Sequence, residues 1–172
     1  GEFDMFEKDI IITGTHAGYI KEMKEVAGLF ARNLDIYMLA PIMGFLNNRK
    51  GQKNNEGGEK STIQAQQLSN VKEDCELIYR LIILLDGDDI DKDERLNRAF
   101  RYDSDVEKKK EFDNAMEIYN EYVLGGIEYM YETFVAGCVE VDDYTTKIFE
   151  AASDFQDEIN ELDYSEEVKK YF

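Results

Sequence analysis

Apolar residues recur every three or four positions along most of the chain, a spacing that predicts helices rather than sheet. From Thr15 the series Ala17, Ile20, Met23, Ala27 and Phe30 marks one face, with Lys21, Glu22, Lys24 and Glu25 opposite and Thr15 as N-cap. Residues 34–46 are apolar almost all round, which predicts the most buried helix, kinked or restarted at Pro41 and closely approached by a neighbour at Gly44. Ser61 with Gln64 has the form of a capping box, and Ile63, Gln67, Val71, Cys75, Ile78, Ile82 and Leu85 follow on one face. One helix is therefore predicted over 61–86, stopped at Asp86-Gly87. Asp91 with Glu94, and Ser104 with Glu107, repeat the capping pattern; the first opens a short helix carrying Leu96, Ala99 and Phe100. A long helix is predicted from Phe112, Met116, Tyr119, Val123, Ile127, Met130 and Phe134. Gly125-Gly126 sits inside that stripe at a cost of about 1 kcal/mol each, which close packing would offset. From Asp143 a last long helix presents Tyr144, Ile148, Ala151, Ala152, Phe155, Ile159 and Leu162, and Ser165 caps a short terminal turn ending in Tyr171-Phe172.

Two segments break the helical rhythm. Ile10, Ile11 and Ile12, before Thr13-Gly14, read as a short strand or an extended arm. Residues 47–60, rich in Asn and Gly, read as a flexible loop. The predicted architecture is a single all-α domain over 1–172, a bundle of five or six helices with a short N-terminal extended arm. No repeat of solenoid length occurs, and Gly1-Glu2-Phe3 reads as a cloning scar.

Composition narrows the class. An apolar fraction of 43% and a charged fraction of 34% suit a folded chain with its own core. The longest stretch without charge, 36–48, contains Pro41 and is too short to cross a bilayer. With no basic stretch leading into an apolar run at the start, the expected location is the cytoplasm. The 38 acids against 20 bases give a net charge of −18, which speaks against direct nucleic-acid binding. Residues 1–60 hold nine acids and eight bases, so nearly all of the excess belongs to the later helices.

Candidate chemistry is sparse. Thr13-Gly14-Thr15-His16-Ala17-Gly18 resembles the glycine motif of short-chain dehydrogenases, but Ile20 stands where a third glycine is expected and no Tyr-x-x-x-Lys follows. His16 is the only histidine, so two-histidine metal motifs and Glu-x-x-His pairs cannot form within one chain. The acidic run from Asp86 to Glu94 lacks the glycine and terminal glutamate of a calcium loop. Cys75 and Cys138 lie in apolar helical patterns and read as reduced core thiols. No catalytic residue, metal or cofactor is therefore nominated. Four of the six arginines, Arg80, Arg95, Arg98 and Arg101, fall within 22 positions and could receive an anion or an acidic partner, or else tie helices together. Tyr119, Tyr122, Tyr129 and Tyr131 are too many for one core stripe and suggest a protein interface.

The stretches 34–46 and 122–128 resemble those of small accessory proteins of phage-defence operons, without a family that can be named. The expectation is thus a non-enzymatic interaction module or accessory subunit of a cytoplasmic complex, in the setting of bacterial phage defence, binding a protein partner or a second copy of itself. The first alternative is an acidic mimic of nucleic acid that blocks a DNA- or RNA-binding protein. The second is a helical bundle that binds a small ligand or anion.

Overall fold

The structure, a computed structural model, describes residues 3–161. Within them the chain forms a short strand β1 (Ile10–Thr13), helices α1 (Gly14–Lys21) and α2 (Asn33–Leu46), strand β2 (Lys60–Ile63), and then α3 (Ala65–Asn70), α4 (Lys72–Leu85), α5 (Lys92–Phe100), α6 (Lys109–Phe134) and α7 (Val141–Glu161). The chain is mostly α-helical, as the spacing predicts, with one two-stranded antiparallel sheet. None of the described helices is long and apolar enough to cross a membrane.

The centre of the molecule is the crossing of α2 and α6. Leu34, Ile36, Tyr37 and Ala40 on α2 meet Tyr119, Val123, Ile127 and Met130 on α6, all buried. Each such large side chain contributes roughly 1.5–3 kcal/mol when withdrawn from water. Glycine lets the two backbones touch: a Cβ at Gly126 would lie 1.7 Å from the Ala40 carbonyl oxygen, and one at Gly44 2.1 Å from that of Tyr122. Gly125 similarly admits Arg49 and Lys50. The paired glycines thus serve packing. α2 runs unbroken through Pro41, although the missing N–H leaves the Tyr37 carbonyl without its helical donor.

Several predicted boundaries need correction. The helix expected over 61–86 is a strand followed by two helices. Lys60–Ile63 pairs with Ile10–Thr13, placing Ile10 opposite Ile63 and Ile12 opposite Ser61. Ser61 is therefore not a helix cap; its hydroxyl donates to the Ala17 carbonyl at 3.2 Å. α3 ends at Val71, whose backbone (φ −126°, ψ 19°) is not helical, and α4 continues to Leu85 as predicted. Thr15 lies inside α1, its N–H held by Asn54 Oδ1 at 2.9 Å, and the first helix passes into a π-helical turn at Glu22–Val26 before reaching Phe30. Ser104 closes a 3₁₀ turn, while Asp105 caps the turn leading into α6. The cap at Asp91 is as predicted, its carboxylate accepting from the Asp93 and Glu94 amides.

The asparagine- and glycine-rich loop is irregular but tied down: Gly51 donates to the Glu121 carbonyl at 2.8 Å, and the Asn54 carbonyl accepts from the Thr13 hydroxyl at 2.7 Å. Phe3, read as part of a cloning scar, stacks on Phe112 with ring centroids 5.4 Å apart. Gly1, Glu2, Leu162, Ser165, Tyr171 and Phe172 lie outside the described residues.

Candidate protein-interaction surface

The arginine group does not converge. Arg80 reaches back from α4 to the Ala99 carbonyl at 2.6 Å and Asp103 at 2.9 Å, its guanidinium over the Phe100 ring. Arg98, 8% exposed, approaches Asp86 at 3.4 Å. The same carboxylate accepts from the Tyr122 hydroxyl at 2.6 Å and faces Lys50 at 3.8 Å. Arg101 donates to Asn97 on its own helix, and Arg95 is half-buried with its Nε unpartnered. Arg80 thus ties α4 to the end of α5 and the 102–104 turn through a partly buried ion pair, and Arg98 ties α5 to Asp86 through a buried one.

The tyrosine quartet needs correction in part. Tyr119, 1% exposed, and Tyr122 are core residues on the α2-facing side of α6, beyond the reach of a partner. Burial raises the phenol pKa of both, for Tyr122 with the Asp86 hydrogen bond as second cause. Tyr129 and Tyr131 are half-buried, and Tyr131 stacks on Tyr19 with centroids 3.8 Å apart. Cys75 is buried and its thiol is pushed up to about 11 by desolvation; Cys138 is half-buried beside the Phe134 carbonyl.

His16 joins a polar tie across the molecule. Its Nε2 lies 2.9 Å from Glu128, and Arg49 bridges Glu128 at 3.2 Å and Glu132 at 2.7 Å. The Arg49 hydrogen bond holds the Glu132 carboxyl below its usual range. No serine, threonine or cysteine is bonded to His16 among the described residues, so the cluster has the form of a brace between α1, the start of the loop and α6. The dehydrogenase-like glycine segment is also occupied in cis. Gly14, at φ +68°, is covered by Asn54, and its N–H donates to the Glu59 carbonyl at 2.9 Å. Glu22, Glu56 and Glu59 line the surface beside it against the single base Lys21, an acidic balance that disfavours phosphate.

Two apolar ridges stand in solvent among the described residues. α7 buries none of its 21 residues. Tyr144 touches the core, and Lys147 Nζ donates to the Glu132 carbonyl in the last turn of α6 at 2.9 Å and to the Ala136 carbonyl just beyond the helix. Past Ala151 every described residue is exposed. Val141, Ile148, Phe155 and Ile159 fall on one side, a ridge with Phe155 at 59% exposure, and Phe149 flanks it at 74%. The opposite side carries most of seven carboxylates, against Lys147 as the helix's one base. Asp143 fixes the start of the helix by accepting from the Val139 and Glu140 amides, which lowers its pKa. A second ridge, Leu77, Leu81 and Leu85, lies exposed on α4 at four-residue spacing. The sequence stripe put Leu85 in the core; it faces solvent instead. The four-residue repeat of Leu77 and Leu81 was a signal for this second ridge, hidden because the buried face of the same helix is equally periodic. Compared with known proteins, the chain matches no family model, no curated protein and no solved structure.

Proposed function

We propose that the chain is a non-enzymatic interaction module, an accessory subunit of a cytoplasmic complex, that docks on its partner through the apolar ridge of α7. One observation carries this reading: a 21-residue amphipathic helix has its ridge in solvent, with none of its residues buried among the described residues. Contiguous exposed apolar surface of this kind marks sites of association, since covering it releases the same free energy that drives folding. The carboxylates on the opposite side of α7 keep the free chain soluble and attract a basic partner from a distance, while the ridge supplies the contact that persists.

The test is affinity capture on the full chain and on a Phe155→Asp, Ile159→Asp variant, repeated at about 0.1 M and about 1 M salt, where screening shortens from roughly 10 Å to 3 Å. A protein retained in stoichiometric amount at both salts by the unaltered chain, and lost from an equally stable variant, is the expected result. Retention by the variant, or no retained protein, contradicts the proposal. The row of carboxylates at Glu150, Asp154, Asp157 and Glu161 favours a second reading, the nucleic-acid mimic. In that case the retained protein is one that binds DNA or RNA, it is released by the higher salt, and the ridge substitutions leave it in place.

A further inference from the structure

A cleft of about 410 Å³ runs between the N-terminal strand and α6, with Gly51, Gln52 and Lys53 of the loop as a third wall. All four residues of β1 line it, core-facing Ile10 and Ile12 together with outward-facing Ile11 and Thr13, whereas no residue of β2 does. Residues on opposite faces of a strand share only its edge, so the cleft borders the edge of β1 that β2 leaves open. The register identifies the groups displayed there. The Gly14 N–H donates to the Glu59 carbonyl, one step past the Thr13 and Lys60 pair. Bonded and unbonded pairs alternate along an antiparallel ladder, so Ile10 and Ile12 exchange bonds with β2 while Ile11 and Thr13 turn their amides and carbonyls outward. Among the described residues nothing bonds the Ile11 amide or carbonyl, and Ile11 is 54% exposed. Such an open edge is a template for a further strand.

The facing wall is α6, which lines the cleft from Asp113 to Leu124. At 1.5 Å per residue that is about 16 Å, the length of an extended segment of about five residues. Tyr37 and Val123, both buried, form an apolar floor. Asp113, Glu117 and Glu121 stand four residues apart along α6, and Lys53 is the one base lining the cleft. Asp113 is paired with Lys109, but Glu117 and Glu121 have no ion-pair partner among the described residues. Carboxylates at this spacing rise about 6 Å apart, close to the roughly 6.7 Å repeat of alternate side chains in a strand.

From these observations we infer that the β1 edge is a peptide-binding groove: it adds, as a third strand, an extended segment of another protein with lysine or arginine at alternate positions and apolar residues between them. The Ile11 backbone supplies strand bonds, the floor takes the apolar side chains, and the α6 carboxylates take the cations. The site is separate from α7 and stands without it.

The test uses the full chain and a fluorescent lysine-valine-lysine-valine-lysine peptide followed by anisotropy, alongside its fully N-methylated form and a scrambled lysine-lysine-lysine-valine-valine peptide. Expected is a Kd below about 1 mM for the alternating peptide. It should weaken about tenfold or more on N-methylation, on scrambling, and in a Glu117→Lys, Glu121→Lys variant, an amount equal to the loss of a few strand bonds or charge pairs. Binding should be unchanged in the Phe155→Asp, Ile159→Asp variant. No binding by about 1 mM, equal affinity for the N-methylated or scrambled peptide, or undiminished binding by the charge-reversed variant overturns the inference.

Discussion

Gly126 sets how closely α2 and α6 approach. Its α-carbon sits against the Ala40 carbonyl, so a methyl group there has nowhere to go, and α2 must move away from α6 along their whole contact. Overpacking of this kind typically costs 1–3 kcal/mol, and a displaced backbone costs more, so Gly126→Ala should lower the urea midpoint by an amount equivalent to at least about 2 kcal/mol. A Gly126→Ala chain within about 0.5 kcal/mol of the parent would show that the crossing is loose. This role was half legible: two glycines inside an apolar stripe demand a reason, and Gly44 on the other apolar segment suggested a close neighbour. That each meets the other helix's backbone could be learned only from the fold. For Tyr119 and Tyr122 the sequence misled because tyrosine suits both core and interface. Tyr122 is kept inside by its bond to Asp86, which joins it to buried Arg98.

Helical spacing identified α2, α5 and α6, each set off by a cap, a stop or an unbroken apolar stripe. It failed at 61–64 for a physical reason: a serine before a glutamine also fits a strand, and Ile63 is buried either way. What decided the matter was distant, the open β-branched run Ile10–Thr13 needing a ladder partner. For α7 the period was legible and its meaning was not. Periodicity shows that one side of a helix is apolar; it does not show what covers that side, and among the described residues nothing does past Ala151. A helix that buries no residue contributes little to the stability of the rest. Ending the chain after Cys138 should therefore shift the thermal midpoint by no more than about 4 °C, equivalent to about 1 kcal/mol for a domain of this size. A fall of 10 °C or more would mean that α7 belongs to the core.

The molecule thus divides its apolar surface into two uses. Around the α2 and α6 crossing it is closed, glycine-tight and braced by Arg49, Arg80 and Arg98; along α7 and the Leu77, Leu81, Leu85 edge it is open. The acidic excess was legible from composition, and its concentration after residue 60 matches the carboxylate-rich side of α7. Hydrogen exchange of the full chain at a concentration where it is monomeric, resolved by peptide, reads both regions at once. Amides of α2 and α6 should exchange only through global opening, while those of Val141–Glu161 exchange within seconds, like a helix with no tertiary cover. Protection of α7 equal to that of α6 in the free monomer would contradict the claim that its ridge awaits a partner.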